Sequence, residues 1–269
     1  MKEHNISGIK VYDYGDGKQT IIFIHAFPLC SVQWESQVEF FKNKYRVITY
    51  DIRGLGYSLY SDNFPLMMED HSKDLLEICS ELKLSKPIVC GLSIGGYIIL
   101  RAIQIKPELF SKVILANTRA ENDTNEILIA RHTIISQMKK GKKDLFLNQF
   151  LKNVISEKSY SNDKIKNRIR EVMSYQTPEG IASTANALAT RTDNVSSLKN
   201  IDVSSLKNID VPVLIISSDE DKTTPVEFSN TLKSEIKNSE LEIIKGVGHI
   251  SNMEAPEKFN EIIERFLLK

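Results

Sequence analysis

Gly91-Leu92-Ser93-Ile94-Gly95 sets a serine between two glycines, directly after the strand-like run Pro87 to Cys90 and directly before the helix-like stretch Gly96 to Lys106. A serine on so tight a strand-to-helix turn is held in a strained backbone conformation, and the residues two places to either side must be small for strand and helix to pass closely. The turn also aims the first helical amides at the space above Ser93, where a developing oxyanion would be stabilised. This arrangement suits attack on a carbonyl, which requires a base to take the serine proton and an acid to orient the base. On this strand-turn-helix pattern the acid follows the serine in the chain and the histidine comes last. His249 alone of the five histidines stands late enough, after the run Leu241 to Ile244 and the loop Lys245-Gly246-Val247-Gly248. His4 and His71 read as surface residues, His132 lies in a helical stretch, and His25 reads as a structural loop residue. For the acid, Asp219, Glu220 and Asp221 all precede Pro225. Spacing favours Asp221, one short turn before a good first helical residue, with Asp219 as runner-up and Glu220 pointing away. The oxyanion donors expected are the backbone N–H groups of Ile94 and of Phe27, the latter from the loop His25-Ala26-Phe27-Pro28 after the third strand.

The elements that must position these groups alternate in period. Ile6 to Tyr14 alternates as a strand, Gly15-Asp16-Gly17 turns it, and Thr20 to Ile24 is a short buried run, so the chain is expected to open with a hairpin. Tyr45 to Asp51, Pro87 to Cys90 and Lys112 to Ala116 read as further strands, with a helix at Asp74 to Leu82 presenting Leu75, Ile78, Cys79 and Leu82 on one face. Val211 to Ile216, a helix from Pro225 to about Lys237, Leu241 to Ile244 and a C-terminal helix carrying Phe259, Ile262, Ile263 and Phe266 complete the set. Strands alternating with helices imply a mostly parallel sheet covered on both faces, with ligands at the carboxyl ends of its strands.

About ninety residues between Ala116 and Val211 hold no convincing strand and are too many for a bare loop. Helical signals fill them. Asp123 with Glu126 suggests a capping box before Ile127, Ala130, Ile134 and Met138; a second helix is expected over Leu145 to Ile155, a third around Ile165 to Met173, and a fourth from Thr177-Pro178. The expected organisation is a core over residues 1–118 and 204–269 with a helical cap over 119–203. Phe27, Met138, Phe146, Phe150 and Met173 are the candidates to line the substrate pocket beneath that cap, and an enclosed apolar roof favours a small, mostly uncharged acyl group. The lysines around Gly141 read as a solvated turn. Before the seventh strand, Ser196 to Val203 reads SSLKNIDV and Ser204 to Val211 repeats it, a tandem duplication expected to sit in the linker leaving the cap.

Charge balances at 35 basic against 35 acidic residues, so no long-range field draws this protein to nucleic acid or an anionic membrane, and a small-molecule substrate is the expected partner. No apolar stretch approaches the ~18 residues that span a bilayer. The N-terminus runs straight into a strand-like segment, and the expected location is cytoplasmic. Cys30, Cys79 and Cys90 have neither disulfide nor metal-knuckle spacing, so no metal site is expected, and Cys30 is singled out only for its place after the Phe27 loop.

Taken together, His25-Ala26-Phe27-Pro28, Asp51-Ile52-Arg53-Gly54-Leu55-Gly56-Tyr57-Ser58, Gly91 to Gly96, Asp221 to Pro225 and Gly246-Val247-Gly248-His249 resemble the successive signatures of the α/β-hydrolase superfamily across nearly the whole chain. The nearest resemblance is to bacterial carboxylesterase-like members, beside the enol-lactonase and non-haem haloperoxidase-like branches. It implies an eight-stranded, mostly parallel sheet flanked by helices with an inserted cap, Ser93 as nucleophile, no organic cofactor, and cleavage of a small carboxylic ester, lactone or thioester. Asp51 and Arg53 are taken as braces for the turn after the fourth strand. Two departures from the family pattern are Ala26 and Ser218, where glycine is usual; Ala26 adds a methyl beside the oxyanion pocket. The same triad also serves perhydrolase or haloperoxidase-like chemistry and hydrolysis of carbon-carbon bonds, and a ligand sensor on the same scaffold is the alternative of another class.

Overall fold

The computed structural model describes residues 1–58, 65–192, 206–207 and 209–269. The first copy of the duplicated octapeptide lies outside the described residues, as does most of the linker that contains it. The described chain builds one eight-stranded sheet in the order β1-β2-β4-β3-β5-β6-β7-β8. The first part runs β1 (Lys2–Ile6), β2 (Ile9–Tyr14), β3 (Thr20–Ile24), α1 (Glu35–Phe41), β4 (Arg46–Tyr50), α2 (Met68–Glu81), β5 (Ile88–Leu92), α3 (Ile94–Ile105) and β6 (Lys112–Ala116). Between β6 and the next strand stand α4 (Asn125–Lys139), α5 (Lys143–Val154), the short α6 (Glu157–Tyr160), α7 (Asp163–Ser174) and α8 (Pro178–Ala189). The chain closes with β7 (Val213–Ser218), α9 (Val226–Glu235), β8 (Ser239–Ile244), α10 (Ser251–Glu254) and α11 (Pro256–Leu267).

The expected hairpin between Ile6–Tyr14 and Thr20–Ile24 does not form. Ile6 pairs with Ile9 across a two-residue turn, so the hairpin is β1 with β2, and β2 then pairs antiparallel with β4. Ser7 and Gly8 both have positive φ, 49° and 86°, the twist that a tight two-residue hairpin requires. β3, with four of its five residues buried, instead takes a central place, parallel to β4 on one side and β5 on the other. An apolar run buried on both faces suits that position and would be wasted at an edge.

His71, expected at the surface, is buried on α2, which begins a turn and a half earlier than its apolar stripe suggested and packs against α3. Burial lowers the His71 imidazole to about 4, so it sits in this interface uncharged. Likewise α4 is capped by Thr124, whose hydroxyl accepts from the Ile127 amide at 3.5 Å, and not by Asp123. Asp123 is engaged elsewhere. α11 buries Phe259, Ile262, Ile263 and Phe266, the stripe its 3.6-residue period dictates.

Candidate active site

Ser93 stands between the last residue of β5 and the first of α3 with φ 57° and ψ −112°, a conformation that L side chains rarely adopt. The chain is held there by close contacts. A Cβ at Gly91 would lie 2.3 Å from the Gly95 carbonyl carbon, and one at Gly95 would lie 2.5 Å from the Ile24 carbonyl oxygen. The Ser93 amide donates to the Ala116 carbonyl at 3.0 Å, and the Thr118 hydroxyl donates to the Ser93 carbonyl at 2.8 Å, tying the turn to the end of β6.

His249 arrives from the loop after β8 and is almost wholly buried. Its Nδ1 lies 2.8 Å from Asp221 Oδ2. Asp221 also accepts from the amides of Thr223 and Thr224 at 2.8 and 2.9 Å, from the Thr224 hydroxyl at 2.7 Å and from Asn117 Nδ2 at 2.9 Å. Burial pushes the Asp221 carboxyl up, but the charge of His249 and the hydrogen bonds from His249 and Thr224 outweigh it and hold the group well below the usual carboxylate range. A fixed carboxylate of this kind leaves Nε2 as the imidazole atom free to exchange a proton. Asp219, the rival acid, turns outward and accepts from the Gly246 amide at 2.7 Å. Neither Asn117 nor Thr224 was singled out in the sequence; Asn117 follows β6 at the carboxyl end of the sheet, with φ 42°, and is fixed by the Ser251 hydroxyl at 2.6 Å.

Ser93 and His249 line one cavity of about 240 Å³, together with Phe27 and Tyr97 of the core. The cap contributes Ala130, Arg131 and Ile134 of α4, Phe150 of α5 and Leu188 of α8. The Ala26 amide is taken by the Gln33 side chain at 2.7 Å and its carbonyl by the Leu29 amide at 2.8 Å, which fixes the loop that brings Phe27 to the cavity wall. Ile94 opens α3, where an amide has no carbonyl of its own helix to bond. His25 is a brace: its Nε2 accepts from the Ile52 amide at 2.9 Å, which places the ring proton on Nδ1, beside the Ala26 carbonyl. Asp51 accepts from the Ser31 and Tyr57 amides at 2.8 and 2.9 Å, whereas Arg53 reaches across to Asp74. Cys30 does not face the cavity, and burial pushes its thiol up to about 12.

Of the five residues expected to line the pocket, Phe27 and Phe150 do. Phe146 stands behind them, its ring centroid 6.2 Å from Phe27 and 5.4 Å from Phe150, and supports the wall without forming it. Met173 is fully buried on α7, which packs against α5 and α6, and it does not line the serine cavity. Met138 lines a different, larger cavity of about 370 Å³ between α4 and α8, which shares no residue with the serine cavity. Helical periodicity marks these methionines as buried but does not say against which neighbour.

What the sequence missed altogether is charge. Arg119 and Arg131 line the serine cavity, and Lys222 stands at its margin. Arg119, Arg131 and Arg191 all converge on Asp123, Arg191 at 2.8 Å and Arg131 at 3.2 Å. Burial pushes the Asp123 carboxyl up, yet the charges of Arg131, Arg191 and Arg119 prevail and hold it below the usual range. Its stabilising contribution is therefore complete above about pH 4, the ordinary carboxylate value, and is lost as pH falls through the lower folded value. Asp123→Asn is expected to destabilise the protein by roughly 3–5 kcal/mol at neutral pH, the cost of leaving buried guanidinium groups without their counter-charge. Urea titration checks this, and a loss under about 1 kcal/mol would show that water already screens the cluster.

Comparison with known proteins bears on this geometry. A family model described as alpha/beta hydrolase fold matches residues 19–256. 3-Oxoadipate enol-lactonase 1 of Acinetobacter baylyi is 28% identical over 247 residues, covering 92% of this chain and 88% of that one. An esterase from Thermogutta terrifontis superimposes with a TM-score of 0.90 at 25% identity, covering 99% and 98% of the two chains. A bromoperoxidase from Bacillus anthracis superimposes with a TM-score of 0.85 at 24% identity, covering 100% and 99%, a likeness of fold alone. Among the described residues no helix is long and apolar enough to cross a membrane.

Proposed function

Since the chain belongs to the alpha/beta hydrolase fold family, we propose that it is a serine hydrolase that cleaves a small carboxylic ester, lactone or thioester through an acyl-enzyme on Ser93. The observation that carries this reading is the buried Asp221–His249 pair, 2.8 Å apart, opening on the same cavity as a serine held on a strained turn. His249 takes the Ser93 proton as Oγ attacks the carbonyl carbon, and Asp221 holds the imidazole and stabilises the imidazolium that forms. The oxyanion rests on the amides of Phe27 and Ile94. The imidazolium then protonates the leaving alcohol, and water, activated by the same base, releases the acid. The enol-lactonase and esterase likenesses agree with an ester-type bond as the one cleaved.

Cavity size limits the acyl group. About 240 Å³ lies below the ordinary range for pockets that hold drug-sized ligands, and Phe27, Phe150 and Leu188 close its apolar side. A series of p-nitrophenyl esters is expected to give its highest kcat/KM for acyl chains of a few carbons and to fall steeply beyond them. A maximum at long chains would remove the enclosed-cavity reading.

A further inference from the structure

We propose that the natural substrate carries a carboxylate in addition to its scissile carbonyl, and that Arg119 and Arg131 bind it at the cap side of the cavity. The inference deepens the serine-hydrolase reading and rests on it for the position of the reacting bond. Among the described residues three guanidinium groups share one carboxylate, Asp123, which leaves two positive charges in excess in a place where charge is expensive. Arg119 is only 3% exposed, and among the described residues its Nε has no hydrogen-bond partner. A buried donor left unmade costs free energy that an arriving acceptor recovers. Both Arg119 and Arg131 face the cavity that holds Ser93 and His249, so an acceptor bound to them lies in the same enclosed space as the reacting serine.

The cluster is rigid as well as charged. Arg119 lies over the Phe228 ring at 4.9 Å and Arg191 over the Tyr97 ring at 4.2 Å, and Tyr97 itself lines the cavity. Stacking on aromatic faces fixes the guanidinium planes before a ligand arrives. A planar anion matches the forked donors of arginine, and a carboxylate leaves room for an ester group in so small a space. The expectation of a mostly uncharged acyl group, drawn from an apolar cap, therefore fails on this wall.

The test compares the monoethyl esters of succinic, glutaric and adipic acids with the matching ethyl esters in which an isopropyl group stands in for the free carboxylate. At least one charged ester is expected to exceed its uncharged partner in kcat/KM by about tenfold or more, the effect of a charge-assisted hydrogen bond. Arg131→Gln should lower the charged ester's kcat/KM by far more than the uncharged ester's, so that the ratio falls to about one, and Arg131→Lys should restore part of it. Arg119→Gln, checked for folding by its melting transition, should do the same. A second readout does not depend on turnover: the free diacids should raise the melting temperature of the wild type and not of Arg131→Gln. Thermal protection lost in Arg131→Gln without hydrolysis of either ester keeps the anion site and removes the serine-hydrolase reading. Uncharged esters turned over as fast as charged ones, or a preference that survives both arginine variants, overturns the proposal, as does protection unchanged in Arg131→Gln.

Discussion

Ser93→Ala is expected to abolish ester turnover, with a loss on the order of a million-fold in kcat, while the melting transition stays close to that of the wild type. The size follows from the proposed mechanism, in which Ser93 Oγ forms the acyl-enzyme and its loss leaves only what the proposed oxyanion amides and binding do alone. Stability should hold because alanine keeps the backbone hydrogen bonds that fix the turn, from the Ser93 amide to Ala116 and from Thr118 to the Ser93 carbonyl. A fluorophosphonate probe should label Ser93 and no other serine, as read by peptide mass spectrometry. Label on a different residue, or turnover retained in the alanine variant, would move the chemistry elsewhere.

The two carboxylates flanking Glu220 should separate by several orders of magnitude. Asp221→Asn places an amide where His249 Nδ1 now meets a charged oxygen at 2.8 Å, which favours the wrong tautomer and leaves the imidazolium uncompensated. A loss of ~10⁴ in kcat is expected from that change in a triad of this geometry. Asp219→Asn keeps an oxygen for the Gly246 amide and touches neither the imidazole nor the cavity, so kcat/KM should change by less than about threefold, within the ordinary scatter of surface substitutions. Steady-state kinetics of both variants on one chromogenic ester decides the matter, and the reverse ranking would transfer the orienting role to Asp219.

How far these groups could be read in advance depends on how local their signals are. Ser93 was legible because a tight turn demands small neighbours at fixed offsets, and Gly91 and Gly95 supply them within five residues. Asp221 and His249 were legible from their places after strands whose apolar runs are themselves local. Asn117 was not, because its side-chain partners Ser218, Asp221 and Ser251 are more than a hundred residues away and an asparagine after a strand has no distinctive pattern. The arginine wall was hidden for a similar reason: Arg191 reaches Asp123 across 68 residues, and nothing in the spacing of three arginines says that they converge. The opening of the sheet differs from its sequence pattern on another ground: alternation in Ile6 to Tyr14 marks the strand period, but the turn falls at Ser7-Gly8, inside that run, and not at the more conspicuous Gly15-Asp16-Gly17.

One contact between cap and core limits how this enzyme could be rebuilt. The His249 amide donates to the carbonyl of Val154, the last residue of α5, at 2.8 Å, and Glu254 accepts from the amides of both Gly248 and Ser156. A Cβ at Gly248 would meet the Ser156 nitrogen at 2.7 Å, so the two backbones pass with no room between them. The cap is therefore not an interchangeable cassette. A chimera that imported the helices of a paralogue to change specificity would carry a foreign α5–α6 corner onto the loop that holds His249, and on the proposed mechanism it would lose rate along with selectivity unless residues 246–254 were transplanted with it. α4 and α8 pack on each other and give Ala130, Arg131, Ile134 and Leu188 to the cavity wall, away from the α5–α6 corner, and it is there that new substrate ranges can be grafted without moving the His249 loop.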